Sequence, residues 1–123
     1  MMTKVILTVD DSRTMRNMLK LALTDAGHTV IQAEDGVHGV EVLNQSGRVD
    51  VIITDINMPR MDGFGFIDHI RQDPRNRSTP ILVLTTESEG AKKQRAKDSG
   101  ATGWIVKPFD PVKLVAAVRR VAP

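Results

Sequence analysis

Apolar residues collect in five short runs rich in β-branched side chains: Val5 to Val9, Thr29 to Ala33, Val49 to Thr54, Ile81 to Thr85 and Gly103 to Val106. Runs of that length and composition predict strands. Between them the period changes. After the first run, Met15, Leu19, Ala22, Leu23 and Ala26 fall on one helical face until Gly27 stops the pattern. After the last, Asp110 suits an N-cap and Pro111 a first turn, while Leu114, Val115, Val118 and Ala122 make an apolar stripe. Arg119 and Arg120 complement the dipole at that helix's C-terminal end. Five strands alternating with five helices predict an α/β fold, a doubly wound parallel sheet covered on both faces. The nearly continuous apolar stretches VDVIIT and PILVLT agree, because a strand buried on both sides shows no polar alternation. The fourth helical segment is the exception: ESEGAKKQRAKDSG offers only Ala91 and Ala96 as apolar residues. A helix polar nearly all round is weakly held, which leaves two readings, an element whose population a signal shifts or a solvated helix with no role.

At 123 residues, 41% hydrophobic and 26% charged, the chain has the size and balance of one globular domain with one real core. It lacks cysteine, which removes disulfides, a thiol nucleophile and a zinc ribbon and suits a reducing cytoplasm. The start, MMTKVILTVDDS, is unlike a secretory signal, and no run is long enough to span a bilayer, so a cytoplasmic location is expected. The net charge of +2 is spread over mixed-sign stretches such as RQDPRNRS, and the four aromatic residues, Phe64, Phe66, Trp104 and Phe109, are too scattered to stack bases. Neither nucleic acid nor membrane is an expected partner. With no repeat or linker, and Ala122 and Pro123 directly after the fifth helix, the expectation is one domain over 1–123, monomeric and without an effector domain.

In an open parallel sheet, ligands bind beyond the carboxyl ends of the strands. The residues there are Asp10 and Asp11, Asp55, Thr85 and Thr86, and Lys107. Singly, each has a plain explanation: Asp11 or Ser12 would cap the first helix, and Thr85 is a good strand residue. Asp55 resists one, since TDINMPRMDG already has turn residues in Asn57, Pro59, Asp62 and Gly63. Three carboxylates in one crevice repel by about 4 kcal/mol per pair at roughly 4 Å and an effective dielectric near 20. Such a site wants a cation, and an all-oxygen donor set with room for water and phosphate favours Mg²⁺ over Ca²⁺. Lys107 then supplies a fixed charge for a phosphoryl oxygen and Thr85 a hydroxyl donor, the equipment of phosphoryl transfer.

VDDS, the apolar strand ending in Asp55 with NMPRMDG after it, LTT followed by Glu87, and WIVKPF stand in an order and spacing that resembles the receiver domain of two-component response regulators. Within that family the chain is similar to the stand-alone CheY-like chemotaxis regulators, and the likeness covers essentially its whole length. The resemblance implies a flavodoxin-like strand order 2-1-3-4-5. It implies that Asp55 is the phosphoacceptor, taking the phosphoryl group of a sensor histidine kinase to form an aspartyl phosphate. Asp11, Asp55 and the backbone carbonyl of Asn57 would hold Mg²⁺, with Asp10 acting largely through water, and Lys107 would pair with the phosphoryl group. The Lys107-Pro108 bond becomes a candidate cis peptide, and Asn57 and Glu87 take positions that tune dephosphorylation. No enzyme is expected beyond intrinsic autophosphorylation and autodephosphorylation.

The same resemblance assigns a switch to Thr85 and Trp104, the latter where Tyr or Phe is usual, and an output face to the fourth helix, fifth strand and fifth helix, carrying Lys92, Lys93 and Trp104. The downstream target would be a flagellar motor component or another phosphotransfer protein, the alternative roles being phosphate sink or phosphorelay shuttle. A small Asp-nucleophile phosphatase would need a second acid where Asn57 stands, and a flavodoxin would need a glycine- and hydroxyl-rich loop in place of DDSRTM. A non-phosphorylated receiver serving only as a binding module would have lost part of the acid set. His28, His38 and His69 show no ligand spacing and read as surface or interface residues.

Overall fold

The computed structural model describes residues 3–86 and 90–122, with 90–92 described by backbone alone. Glu87 therefore lies outside the described residues, and of Lys92 only the backbone is described. The strands are β1 (Val5–Val9), β2 (Thr29–Ala33), β3 (Val51–Thr54), β4 (Ile81–Thr85) and β5 (Gly103–Val106). The helices are α1 (Arg13–Asp25), α2 (Gly36–Ser46), α3 (Gly63–Arg71), α4 (Gly90–Ser99) and α5 (Pro111–Val121), with a 3₁₀ turn at Pro74–Asn76. The sheet is parallel throughout in the order β2-β1-β3-β4-β5, with Val5 beside Thr29, Ile6 beside Val51, Ile52 beside Ile81 and Leu82 beside Gly103. None of the described helices is long and apolar enough to cross a membrane.

Side-chain alternation along the strands divides the interior in two. Leu7, Val9, Ile52, Ile81 and Val83 meet Leu43 of α2, Phe64, Phe66, Ile67 and Ile70 of α3 and Ala96 of α4. Ile6, Val51, Ile53, Leu82 and Leu84 meet Leu19 and Leu23 of α1 and Leu114 and Val118 of α5. Helices α1, α2, α3 and α5 each begin with a side chain that accepts an orphan backbone N–H: Ser12, Asp35, Asp62 and Asp110 respectively.

Two expectations need correction. β3 starts at Val51, not Val49, because the Asp50 carboxylate takes the Val5 amide at 2.8 Å, a donor that a longer ladder would give to a backbone carbonyl. His28 is buried and His38 half-buried, leaving only His69 exposed. The turn at Gly27 sends the His28 amide back to the Leu23 carbonyl at 3.1 Å, and Nδ1 of the ring accepts the Lys4 amide at 3.2 Å. Its Nε2 is buried without a partner among the described residues. Burial, reinforced by the charges of Arg119 and Lys4, holds the imidazole pKa below its ordinary value.

Candidate metal centre

At the carboxyl edge, alternation carries Asp10, Asp55 and Lys107 onto the side of the sheet that faces α1 and α5. Carboxylate oxygens of Asp10, Asp11 and Asp55 lie within 4.8 Å of one another. Asp10 is 1% exposed and Asp55 7%, whereas Asp11 faces solvent. The Lys107 ammonium bridges the two buried acids, 3.1 Å from Oδ2 of each. Asp10 Oδ1 accepts the Ser12 amide at 2.9 Å, and its carbonyl accepts Arg16 Nη1 at 2.8 Å. Asp55 Oδ1 accepts the Ile56 amide at 2.8 Å.

Capping of α1 falls to Ser12, whose hydroxyl accepts the Met15 amide at 3.2 Å. Asp11 is thus left to the crevice. Asp55 is seated by its backbone: its amide donates to Val9 at 2.8 Å, and its carbonyl accepts the Thr54 hydroxyl at 2.9 Å. The first residue of α3 lies against it. A Cβ at Gly63 would overlap the Asp55 carbonyl oxygen and stand 2.8 Å from Ile56 Cα, so only glycine allows the helix to begin there.

Burial, and secondarily the charge of Asp10, push the Asp55 carboxyl above the usual range against the pull of Lys107 and the Ile56 amide. Burial alone would lower Lys107, but the two carboxylates outweigh it and hold the ammonium above its ordinary pKa. Three acids against one lysine leave a surplus of negative charge, and the donors are all oxygen. That chemistry fits a hard divalent cation.

Thr85 and Trp104 take the opposite face of the sheet. Thr85 is buried, on the side of Ile81 and Val83, and its carbonyl accepts the Lys107 amide at 2.7 Å. Trp104 packs half-buried against the core that includes Ala96 of α4, its indole N–H buried without a partner among the described residues. Asn57 is exposed on the loop after β3, Lys93 is exposed on α4, and the Lys107-Pro108 bond is cis. Sequence reasoning missed Arg16 and Arg60, and it read Gly63 only as a turn residue. A helix-start glycine after Asp62 was the available signal for a close approach; an ion pair between residues 25 apart leaves none.

A doubly wound five-stranded sheet with clustered acids and a lysine at its carboxyl edge defines a receiver-type signalling domain. Residues 6–119 match the response regulator receiver domain family, and the chain belongs to it. Its relatives place it among the chemotaxis homologues of that family. It is 41% identical over 107 residues to the chemotaxis protein CheY homolog of Campylobacter jejuni, covering 86% of this chain and 82% of that one. The structure of the chemotaxis response regulator CheY4 of Vibrio cholerae is 46% identical, with a TM-score of 0.91 over 98% of this chain and 99% of that one. The receiver domain of sensor histidine kinase PA1611 from Pseudomonas aeruginosa, 25% identical with a TM-score of 0.89 over 98% of both chains, has a magnesium ion coordinated in its active-site cleft. Receiver domains are signalling proteins rather than classical enzymes, and membership sets aside the phosphatase and flavodoxin readings.

Proposed function

We infer that the chain is a response regulator receiver domain that accepts a phosphoryl group on Asp55 from a sensor histidine kinase and, so modified, controls a partner protein in chemotaxis. The observation that carries this is the Lys107 ammonium held 3.1 Å from both Asp10 and Asp55, beside the exposed Asp11. Mg²⁺ fits the oxygens of Asp10, Asp11 and Asp55 and the Asn57 carbonyl; when bound, it supplies positive charge to the acids and to the phosphoryl oxygens. An oxygen of Asp55 forms the new O–P bond as the N–P bond of the donor phosphohistidine breaks, leaving its electron pair on the imidazole. Asp55 needs no general base, because a carboxylate is ionised at neutral pH. Lys107 pairs with the transferred group, and the Thr85 hydroxyl, on the far side of the sheet in the resting structure, turns over the sheet's carboxyl edge to donate to it. Trp104 and α4, on the other side of the sheet, read the change, so the face carrying Lys92, Lys93 and Trp104 is the output surface. Asn57 and Glu87 tune the return to the resting state.

The test is an amide NMR titration with Mg²⁺ and then beryllofluoride, followed at the Trp104 indole. The expected result is a Mg²⁺ response at Asp10, Asp11 and Asp55, abolished by Asp55→Asn, and movement of Trp104 and α4 with the phosphoryl mimic. Mimic binding that leaves both still would make the protein a phosphate sink or relay. No Mg²⁺ response would overturn the reading.

A further inference from the structure

The loop from Asp55 to Asp62 contains Arg60, at φ +64° the one non-glycine residue with positive φ among those described. The Met61 amide donates to the Pro59 carbonyl at 2.7 Å, closing a three-residue turn centred on Arg60. A turn of this hand is rare and strained for an L-residue, and glycine would adopt it freely. Strain of this kind persists only where its surroundings enforce it.

The surroundings here belong to the connection between β2 and α2. Nε and Nη2 of Arg60 donate to Oδ2 and Oδ1 of Asp35 at 2.8 and 3.0 Å, a two-pronged pairing. Asp35 is 5% exposed, and its Oδ1 also accepts the His38 amide at 2.9 Å as the cap of α2. Next to it, the Gly36 amide donates to the Met61 carbonyl at 3.1 Å. A Cβ on Gly36 would stand 2.7 Å from Met61 Cγ, so the two loops touch. Asn57 lies between this anchored turn and Ile56, which is bonded to the Asp55 carboxylate and to the Gly63 amide. Its exposed side chain has no hydrogen-bond partner among the described residues, so its backbone is placed by its neighbours.

We propose that the Asp35–Arg60 pair is a positioning device for the metal centre, holding the 55–62 loop so that the Asn57 carbonyl faces the cation. Asp35 and Arg60 then set metal affinity without touching the metal. The proposal rests on the reading of Asn57 as a ligand. Arginine at position 60 is what makes the device: its fork crosses to the neighbouring loop, which glycine, easier on the backbone, cannot do.

Three variants, Arg60→Gly, Arg60→Lys and Asp35→Asn, are compared with wild type by amide hydrogen exchange without metal and then by Mg²⁺ titration. Asn caps a helix as well as Asp, so Asp35→Asn keeps α2. Arg60→Gly and Asp35→Asn should speed exchange at the Asn57 and Met61 amides and weaken Mg²⁺ about tenfold, as loss of an outer-shell partner does. Arg60→Lys should recover part of the affinity. A merely structural role predicts otherwise, because relief of backbone strain in Arg60→Gly would preserve both thermal stability and Mg²⁺ affinity. Unchanged affinity and loop exchange in that variant, beside a normal wild-type titration, overturn the clamp alone. A wild type that fails to bind Mg²⁺ through Asp55 overturns the metal reading and the clamp's role together.

Discussion

Helices α1 and α4 lie on opposite faces of the sheet and are held in opposite ways. α1 opens on the Ser12 cap and buries Leu19 and Leu23 to 1% exposure or less. α4 places one described side chain in the core, Ala96, and lays the Arg95 guanidinium 4.2 Å above the Phe64 ring. Its C-terminal end is firmer: Gly100, at φ +108°, closes a Schellman turn, with Ala101 donating to Ala96 and Gly100 to Lys97. Arg71 adds two hydrogen bonds to the Gly100 carbonyl, at 3.1 and 2.8 Å. The acid cluster thus sits beside a helix anchored by its core, and the proposed output sits on one held, among the described side chains, by Ala96, the C-terminal turn and the Arg95 contact. Differences of this kind mark the elements that open at low free energy.

The severest way to break this contrast is Gly63→Ala, which forces a methyl against the backbone of Asp55 and Ile56. Neither neighbour is the end of a flexible side chain, so a loss of about 3 kcal/mol in urea unfolding is expected, at the high end for overpacking. Tolerance of that methyl would show the Asp55 side to be as yielding as α4. Arg95→Ala sharpens the contrast from the other side. Removing an exposed cation–π contact should cost about 0.5–1 kcal/mol, with faster amide exchange along α4 and none of that change in α1. The smallest effect is on pH. Because folding depresses the His28 pKa, the unfolded chain binds the proton more readily; stability is then full above the ordinary imidazole value of 6.5 and declines as pH falls below it. His28→Gln should flatten that decline in thermal melts between neutral pH and pH 5, and an unchanged slope would exclude His28 as its source.

The elements of the fold were legible because each strand is a compact apolar run and α1 and α5 carry their caps and stripes in consecutive residues. The acids and the lysine were legible for a related reason: a parallel sheet gathers whatever follows its strands at one edge. What escaped was whatever depends on contact between distant segments. The Asp50 carboxylate shortens β3 by bonding to Val5, and the Lys4 amide captures the His28 ring; neither leaves a mark in the local pattern. Arg60 reads as an ordinary charged turn residue until Asp35 is seen opposite it. The rotation that places Thr85 and Trp104 behind the sheet follows from strand alternation and could be read from strand register alone.

The Ser12 hydroxyl has one more consequence, for descent rather than chemistry. Since it closes α1 by itself, a change at Asp11 strikes the acid cluster proposed to hold the metal and spares the helix. If the proposed function holds, one base change after gene duplication gives a copy deaf to its phosphodonor yet still folded, displaying the same outer faces to the same partners. Such a copy would compete with its parent for them, and a circuit could acquire an inhibitor from its own messenger in a single step.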